Sequence, residues 1–228
     1  MDAIKLRLES ACPGVVSCAD ILTIAARDAV VLVQGPSWDV KLGRRDSLSA
    51  STSAANTMLP GPFESLDAII AKFAAVGLSQ QDVASLSGAH TLGRARCALV
   101  APRLYNFNGT GQPDPTLSTS YLEVLRAFCG PPSTASTSRV LANLDLSTPD
   151  VFDNKYYQNL KASNGLLVSD QVLFSTPGAA TVGLVNAFAA NERAFFVAFA
   201  RSMVKMGDIS PLLAPNGQIR TNCHVVNV

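Results

Sequence analysis

The chain carries two histidines, His90 and His224, and only His90 has surroundings that suggest chemistry. It lies in the run Asp82-Val83-Ala84-Ser85-Leu86-Ser87-Gly88-Ala89-His90-Thr91-Leu92. Neutral imidazole can ligate a metal through one ring nitrogen while the other hydrogen-bonds to a group that orients it. A lone histidine on a helix face is, by itself, more often structural. Three small residues, Ser87, Gly88 and Ala89, precede His90, so a broad flat object can come close to the backbone there. A porphyrin plane fits that requirement; so does a second helix packed tightly. His224 follows Cys223 near the tail and reads as structural or exposed.

The five cysteines are Cys12, Cys18, Cys97, Cys129 and Cys223. None forms a C-x-x-C pair, which argues against zinc. An odd count suggests disulfides with one member unpaired. Five buried thiols in a reducing compartment is an equal alternative on the count alone.

A chain of 228 residues holds one sizeable domain or two small ones. Hydrophobic residues make up 48% and charged residues 15%, a balance that favours a buried core over disorder. The net charge of +1 leaves no electrostatic footprint for nucleic acid or an anionic membrane. Asp2 to Glu9 reads as an amphipathic helix with Ile4 and Leu8 on one face, and lacks the continuous apolar core of a secretory signal. Gln171 to Ala190 is uncharged, but Ser175, Thr176, Pro177, Gly178 and Gly183 interrupt it, so it does not read as a membrane span. Asn108-Gly109-Thr110 is a glycosylation sequon and gives weak support for export.

The elements that must position His90 are helical. Ser17 and Asp20 have capping-box spacing, ahead of a helix apolar on most faces (Ile21, Leu22, Ile24, Ala25, Ala29, Val30) that Gly35-Pro36 stops. Gly43 to Phe63 reads as a long loop. Ser65 caps a helix with Leu66, Ile69, Ile70 and Phe73 on one face, ended by Gly77. Ser79 and Asp82 repeat the capping box, and Val83, Leu86 and His90 then share a helix face. A loop with Gly109, Gly111, Pro113 and Pro115 precedes a helix marked by Tyr121, Leu122, Leu125 and Phe128. Pro131 to Ser138 is a polar connection. Further helices start near Phe152 and run over Ala179 to Ala190 and Asn191 to Met206. Strand-like alternation is scarce, so the fold class is mainly α.

At this point the sequence resembles a family. The run around His90 is similar to the proximal haem-ligand motif of the secretory plant-type (class III) haem peroxidases. The likeness continues in order through Glu9-Ser10-Ala11-Cys12-Pro13, Val16 to Leu22, Gly35-Pro36-Ser37-Trp38, Leu42-Gly43-Arg44-Arg45-Asp46 and Leu59-Pro60-Gly61-Pro62-Phe63. It goes on through Asp145-Leu146-Ser147-Thr148-Pro149, Phe152 to Tyr157, Ser169-Asp170-Gln171, Met206-Gly207 and Gly217-Gln218-Ile219-Arg220.

The resemblance implies a plant-type haem peroxidase fold, with residues 1–63 as the remnant of a distal domain and 64–228 as the proximal, haem- and calcium-binding region. It implies haem b with His90 as the axial ligand and Asp170 as the carboxylate that pulls on the second ring nitrogen, strengthening donation to the iron. Read alone, Asp170 is a solvated loop residue. The resemblance also implies a Ca²⁺ site from Thr91, Asp145, Thr148, Asp153 and the Val151 carbonyl, the hard oxygens such an ion prefers. Without it, an ordinary loop leading into a helix is the better reading. Disulfides Cys18–Cys223 and Cys97–Cys129 are implied. The second closes a loop of about 33 residues, worth roughly 3–4 kcal/mol in a chain-entropy model. Cys12 corresponds to a cysteine whose partner lies further upstream in the family.

Asp20 and Arg44 are expected to form a buried ion pair, and Pro60, Gly61 and Phe63 to form a rim where aromatic donors dock. Arg96 is placed equally well near a haem propionate or in solvent. Hydrogen peroxide and small phenols are the expected reactants of a secreted monomer engaged in hydrogen peroxide catabolism and the response to oxidative stress. The family's distal Arg-x-x-x-His and His-Asp-Cys groups do not occur in these 228 residues. The resemblance therefore implies truncation at the N-terminus. Such groups are each worth about 10²–10⁴-fold or 10²–10³-fold in rate. The expectation is a haem peroxidase; the alternatives are a haem- and calcium-binding fragment with little turnover, or an interaction domain without haem.

Overall fold

The structure, a computed structural model, describes residues 1–131 and 139–227. From residue 132 on, the polar connection expected at Pro131 to Ser138 lies outside the described residues. Eleven α-helices and one pair of three-residue strands are found among the described residues, so the chain is mainly α. Contacts divide it into two units, Met1–Met58 with Ala200–Val228, and Leu59–Phe199.

In the first unit, α1 spans Asp2–Ala11, α2 Cys18–Leu32 and α3 Thr52–Met58. The side chain that α1 buries is Lys5, 2% exposed, whose ammonium donates to Glu9 Oε1 (2.5 Å) and the Val16 carbonyl (2.6 Å). Ile4, expected on the packed face, is exposed and lines an apolar groove with Leu8, Ile21 and Ile24. Only half of the capping box at α2 forms. Ser17 Oγ accepts from the Asp20 amide (3.0 Å), but the Asp20 carboxylate accepts from the Gly43 and Arg44 amides (2.7 and 3.2 Å) and lies 3.5 Å from Arg44 Nη1. The first free amides of α2 go instead to Asp46, which accepts from Cys18 and Ala19 (3.1 and 2.9 Å) and from the Arg220 amide (3.0 Å). Cys18–Cys223 fastens the same place. The left-handed residue after α2 is Gln34 (φ 75°), one before the expected Gly35. The loop expected over 43–63 contains α3, which buries none of its residues.

The second unit holds α4 (Leu66–Ala75), α5 (Gln80–Ser87), α6 (Cys97–Tyr105), α7 (Thr119–Cys129), α8 (Lys155–Lys161), α9 (Val168–Ser175), α10 (Ala180–Ala190) and the first half of α11 (Glu192–Gly207). Strands β1 (Arg94–Arg96) and β2 (Leu141–Asn143) pair antiparallel, with Ala95 opposite Ala142. The expected caps form. Ser65 Oγ accepts from Ala68, Ser79 and Asp82 close a full box, and Asn191 Oδ1 accepts from Ala194 (3.0 Å). One core packs Val100, Leu104, Tyr121, Leu125, Leu166 and Leu167 around the Cys97–Cys129 disulfide. Both disulfides have the pairing the resemblance implies. Among the described residues no single helix is long and apolar enough to cross a membrane, and the apolar pair α9–α10 is bent by 99°.

A second core is aromatic. Phe152 stacks on Phe195 at 5.5 Å, and Tyr157 meets Phe188 and Phe195 at 5.2 and 4.9 Å. This core explains Gly88. A β-carbon there would collide with the Tyr157 hydroxyl and come within 2.5 Å of Phe195 Cε2. The close approach at Gly88 is thus by aromatic side chains of the protein itself. Gly88→Ala overpacks this core and is expected to destabilise by about 1–3 kcal/mol, read as a lower guanidinium midpoint.

Candidate haem-ligand and calcium site

The α-helix that was expected to carry His90 ends at Ser87, and a turn of 3₁₀-helix over Gly88–Thr91 carries the imidazole. The tighter winding rotates His90 out of register with Val83 and Leu86. Its side chain is 38% exposed, and its Nδ1 lies 2.6 Å from Oδ1 of Asp170, which is 1% exposed. Asp170 sits in the first turn of α9, where its Oδ2 accepts from the Leu167 amide (2.9 Å). The Tyr156 hydroxyl donates to Oδ1 (3.1 Å). A carboxylate with no access to water needs such donors. Burial pushes the His90 pKa down, but the charge and hydrogen bond of Asp170 outweigh it, and the net direction is up. The paired nitrogen is Nδ1, so Nε2 is the ring atom left for a ligand.

Arg103, which sequence reasoning missed, holds the segment ahead of α9. It is buried, donates to Asp114 Oδ2 (2.8 Å), and binds the carbonyls of Gly165 and Leu166 (2.6 and 2.7 Å). It thereby fixes the backbone whose Leu167 amide reaches Asp170. No signal for this was visible, because Asp114 lies in a Gly/Pro-rich loop.

Thr91 meets a different set of partners from the imidazole. Its hydroxyl lies 3.2 Å from Asp145 Oδ2, 3.5 Å from the Val151 carbonyl and 3.4 Å from Asp153 Oδ1. One hydroxyl proton cannot satisfy three acceptors. Thr148 Oγ1 is buried nearby in sequence with no partner. The other oxygen of Asp145 is already satisfied, accepting from Ser147 and Thr148 amides (2.7 and 3.1 Å) and from Asn159 Nδ2 (2.8 Å). Surplus hard acceptors around a donor-poor point suit Ca²⁺. Among the described residues no group of three or more His, Cys, Asp or Glu is assembled; this set has two carboxylates, and the rest are hydroxyls and a carbonyl.

The remaining expected residues are placed as follows. Pro60, Gly61 and Phe63 precede α4, with Phe63 51% exposed, and the Ser169 amide donates to the Pro62 carbonyl (3.1 Å), tying this segment to the start of α9. Arg96 is exposed at the end of β1. Asn108 is exposed with φ 52°. His224 is exposed and lies 3.0 Å from Asp2. Cys12 is a free cysteine.

An imidazole backed by a buried carboxylate, within a mainly helical frame, has the form of an axial haem ligand. The sequence profile of the Peroxidase family matches residues 1–191. Peroxidase 54 of Arabidopsis thaliana is 57% identical over all of this chain and 63% of its own length. Peroxidase 15 of Ipomoea batatas is 53% identical, again over the whole chain and 68% of the relative. Lignin-forming anionic peroxidase of Nicotiana tabacum is 51% identical over all of this chain and 69% of its own. The chain belongs to the peroxidase family, among the plant haem peroxidases. It spans about two thirds of the length of these relatives.

The charge state of Asp145 gives a test. Burial first, with the Asp153 charge adding to it, holds its pKa above the ordinary carboxylate value, against the Thr148, Ser147 and Thr91 hydrogen bonds. A carboxyl with a raised folded-state pKa costs stability once ionised, and that cost fades as pH falls through the raised value. The stability difference between the metal-free protein and its Asp145→Asn variant should therefore shift in favour of Asp145 as pH falls, in denaturation curves taken across the acid range.

Proposed function

We propose that the chain binds haem b through His90 Nε2 and serves hydrogen peroxide-dependent oxidation of small phenols. The observation that carries the reading is the 2.6 Å contact between His90 Nδ1 and the buried Asp170 carboxylate. Bound haem supplies the redox chemistry. The residues do the rest. Asp170 fixes the tautomer and plane of the imidazole and raises its donor strength. Ser87 and Ala89, partly exposed, leave the flank of the turn low enough for a flat group. Pro60, Gly61 and Phe63 offer an apolar rim for aromatic donors, while Arg96 stands in reach of solvent for a propionate.

The same reading gives residues 64–228 the haem- and calcium-binding role and residues 1–63 to a distal part. It makes the protein a secreted monomer, with exposed Asn108 open to glycosylation. Two disulfides suit an oxidising compartment. Thr91, Asp145, Thr148, Asp153 and the Val151 carbonyl would hold Ca²⁺, and because Thr91 adjoins His90 they would thereby steady the 3₁₀ turn that carries the imidazole.

Titration with hemin tests the first claim. A Soret band with nitrogen-ligated iron is expected for the 228-residue chain, and its loss in His90→Ala; a band unchanged by that substitution defeats the assignment. Phenol turnover with peroxide is scored separately from binding. Calcium at one hundred times its Kd should add about 2.7 kcal/mol to stability, with no gain in Asp153→Ala. An equal gain in both proteins would refute the site.

A further inference from the structure

Tyr156 has no role in the reading above, yet it touches the carboxylate on which that reading rests. It lies in α8 and is 1% exposed. Its hydroxyl is 3.1 Å from Asp170 Oδ1, the oxygen that also meets His90 Nδ1. Burial, with the Asp170 charge behind it, keeps the phenol protonated. A carboxylate has no proton to give, so the phenol must donate. Two donors therefore compete for one oxygen, while Oδ2 is taken by the Leu167 amide.

The ring is held in place. It meets His90 edge-on at 6.3 Å and Tyr157 edge-on at 5.1 Å. Tyr157 is in turn anchored by its hydroxyl to the Ala84 carbonyl (2.9 Å). Tyr156 therefore cannot swing away to release Asp170.

We infer that Tyr156 is a positioning residue that limits the pull of Asp170 on His90, so that the phenol sets the donor strength of the imidazole. Electron density given to the phenol proton is withdrawn from the imidazole N–H. Removing the phenol makes the carboxylate a stronger acceptor and gives the ring more imidazolate character. The consequence for bound iron rests on the proposed haem role; the effect on the His90–Asp170 bond does not.

Tyr156→Phe keeps the ring and removes the hydroxyl. In the haem-free protein, the His90 Nδ1 proton resonance is expected to move to lower field in this variant. Tyr105→Phe, at a ring that lies under the Arg126 guanidinium in α6, is expected to leave it in place. Should Tyr156→Phe fail to fold, fluorotyrosine in place of tyrosine keeps the hydroxyl and makes it a stronger donor, so the resonance is expected to move to higher field. With haem bound, the ferrous iron–imidazole stretch should rise and the reduction potential fall in Tyr156→Phe. A proton resonance that is unmoved, or that moves the opposite way, overturns the inference. Failure of haem to bind overturns the functional reading and leaves the proton test standing.

Discussion

A carboxylate shut away from water must be surrounded by donors, and Asp170 is the point around which the second unit is arranged. Its donors come from three places in the sequence. The 3₁₀ turn brings the imidazole, α8 brings a phenol, and the start of α9 brings the Leu167 amide. Any one donor withdrawn leaves the buried charge under-satisfied, at a cost of about 1–3 kcal/mol or more. That penalty is why the surroundings are so heavily fixed. Arg103 clamps Gly165 and Leu166 just upstream, and the Ser169 amide ties α9 to the Pro62 carbonyl.

The aromatic core carries this arrangement in place of regular sheet or long helices. Tyr156 and Tyr157 are neighbours in α8, and both are buried, with α9, α10 and the 3₁₀ turn packed against that helix. One phenol bonds the carboxylate of α9; the other bonds a carbonyl of α5. Gly88 makes room for the second of these at the point where the α-helix becomes a 3₁₀ turn. The imidazole is thereby presented from a turn pressed onto rigid aromatic surface.

Much of this was legible in the residues, and the failures have physical causes. The Ser65, Ser79 and Asn191 caps are local, so spacing alone finds them. The box at Ser17 is only half made because the Gly43 and Arg44 amides outcompete the local partner for Asp20, a contact no short pattern can reveal. The buried Lys5 misleads in the same way, since its ammonium is satisfied by a carbonyl eleven residues on. Helix α6 is masked by Pro102 within it, and the β1–β2 pair is too short to show alternation. Ser87, Gly88 and Ala89 were read as one low surface. Gly88 in fact faces the protein interior, and His90 leaves the expected helical register because the winding changes. The small residues ahead of it single out the histidine, but its carboxylate and the calcium set were visible only through resemblance. Tyr156 lies in the Phe152 to Tyr157 stretch, but nothing in its spacing says that it reaches Asp170.

Thr91 follows His90 directly, and Asp153 lies three residues ahead of Tyr156, with the Lys155 amide bonded to its carboxylate (2.8 Å). The oxygen cluster and two of the groups that meet Asp170, the His90 imidazole and the Tyr156 phenol, are therefore threaded onto the same two short stretches of chain. An insertion or deletion between Asp145 and Tyr156 would displace both at once. Such length changes should be rare in descendants that keep either centre.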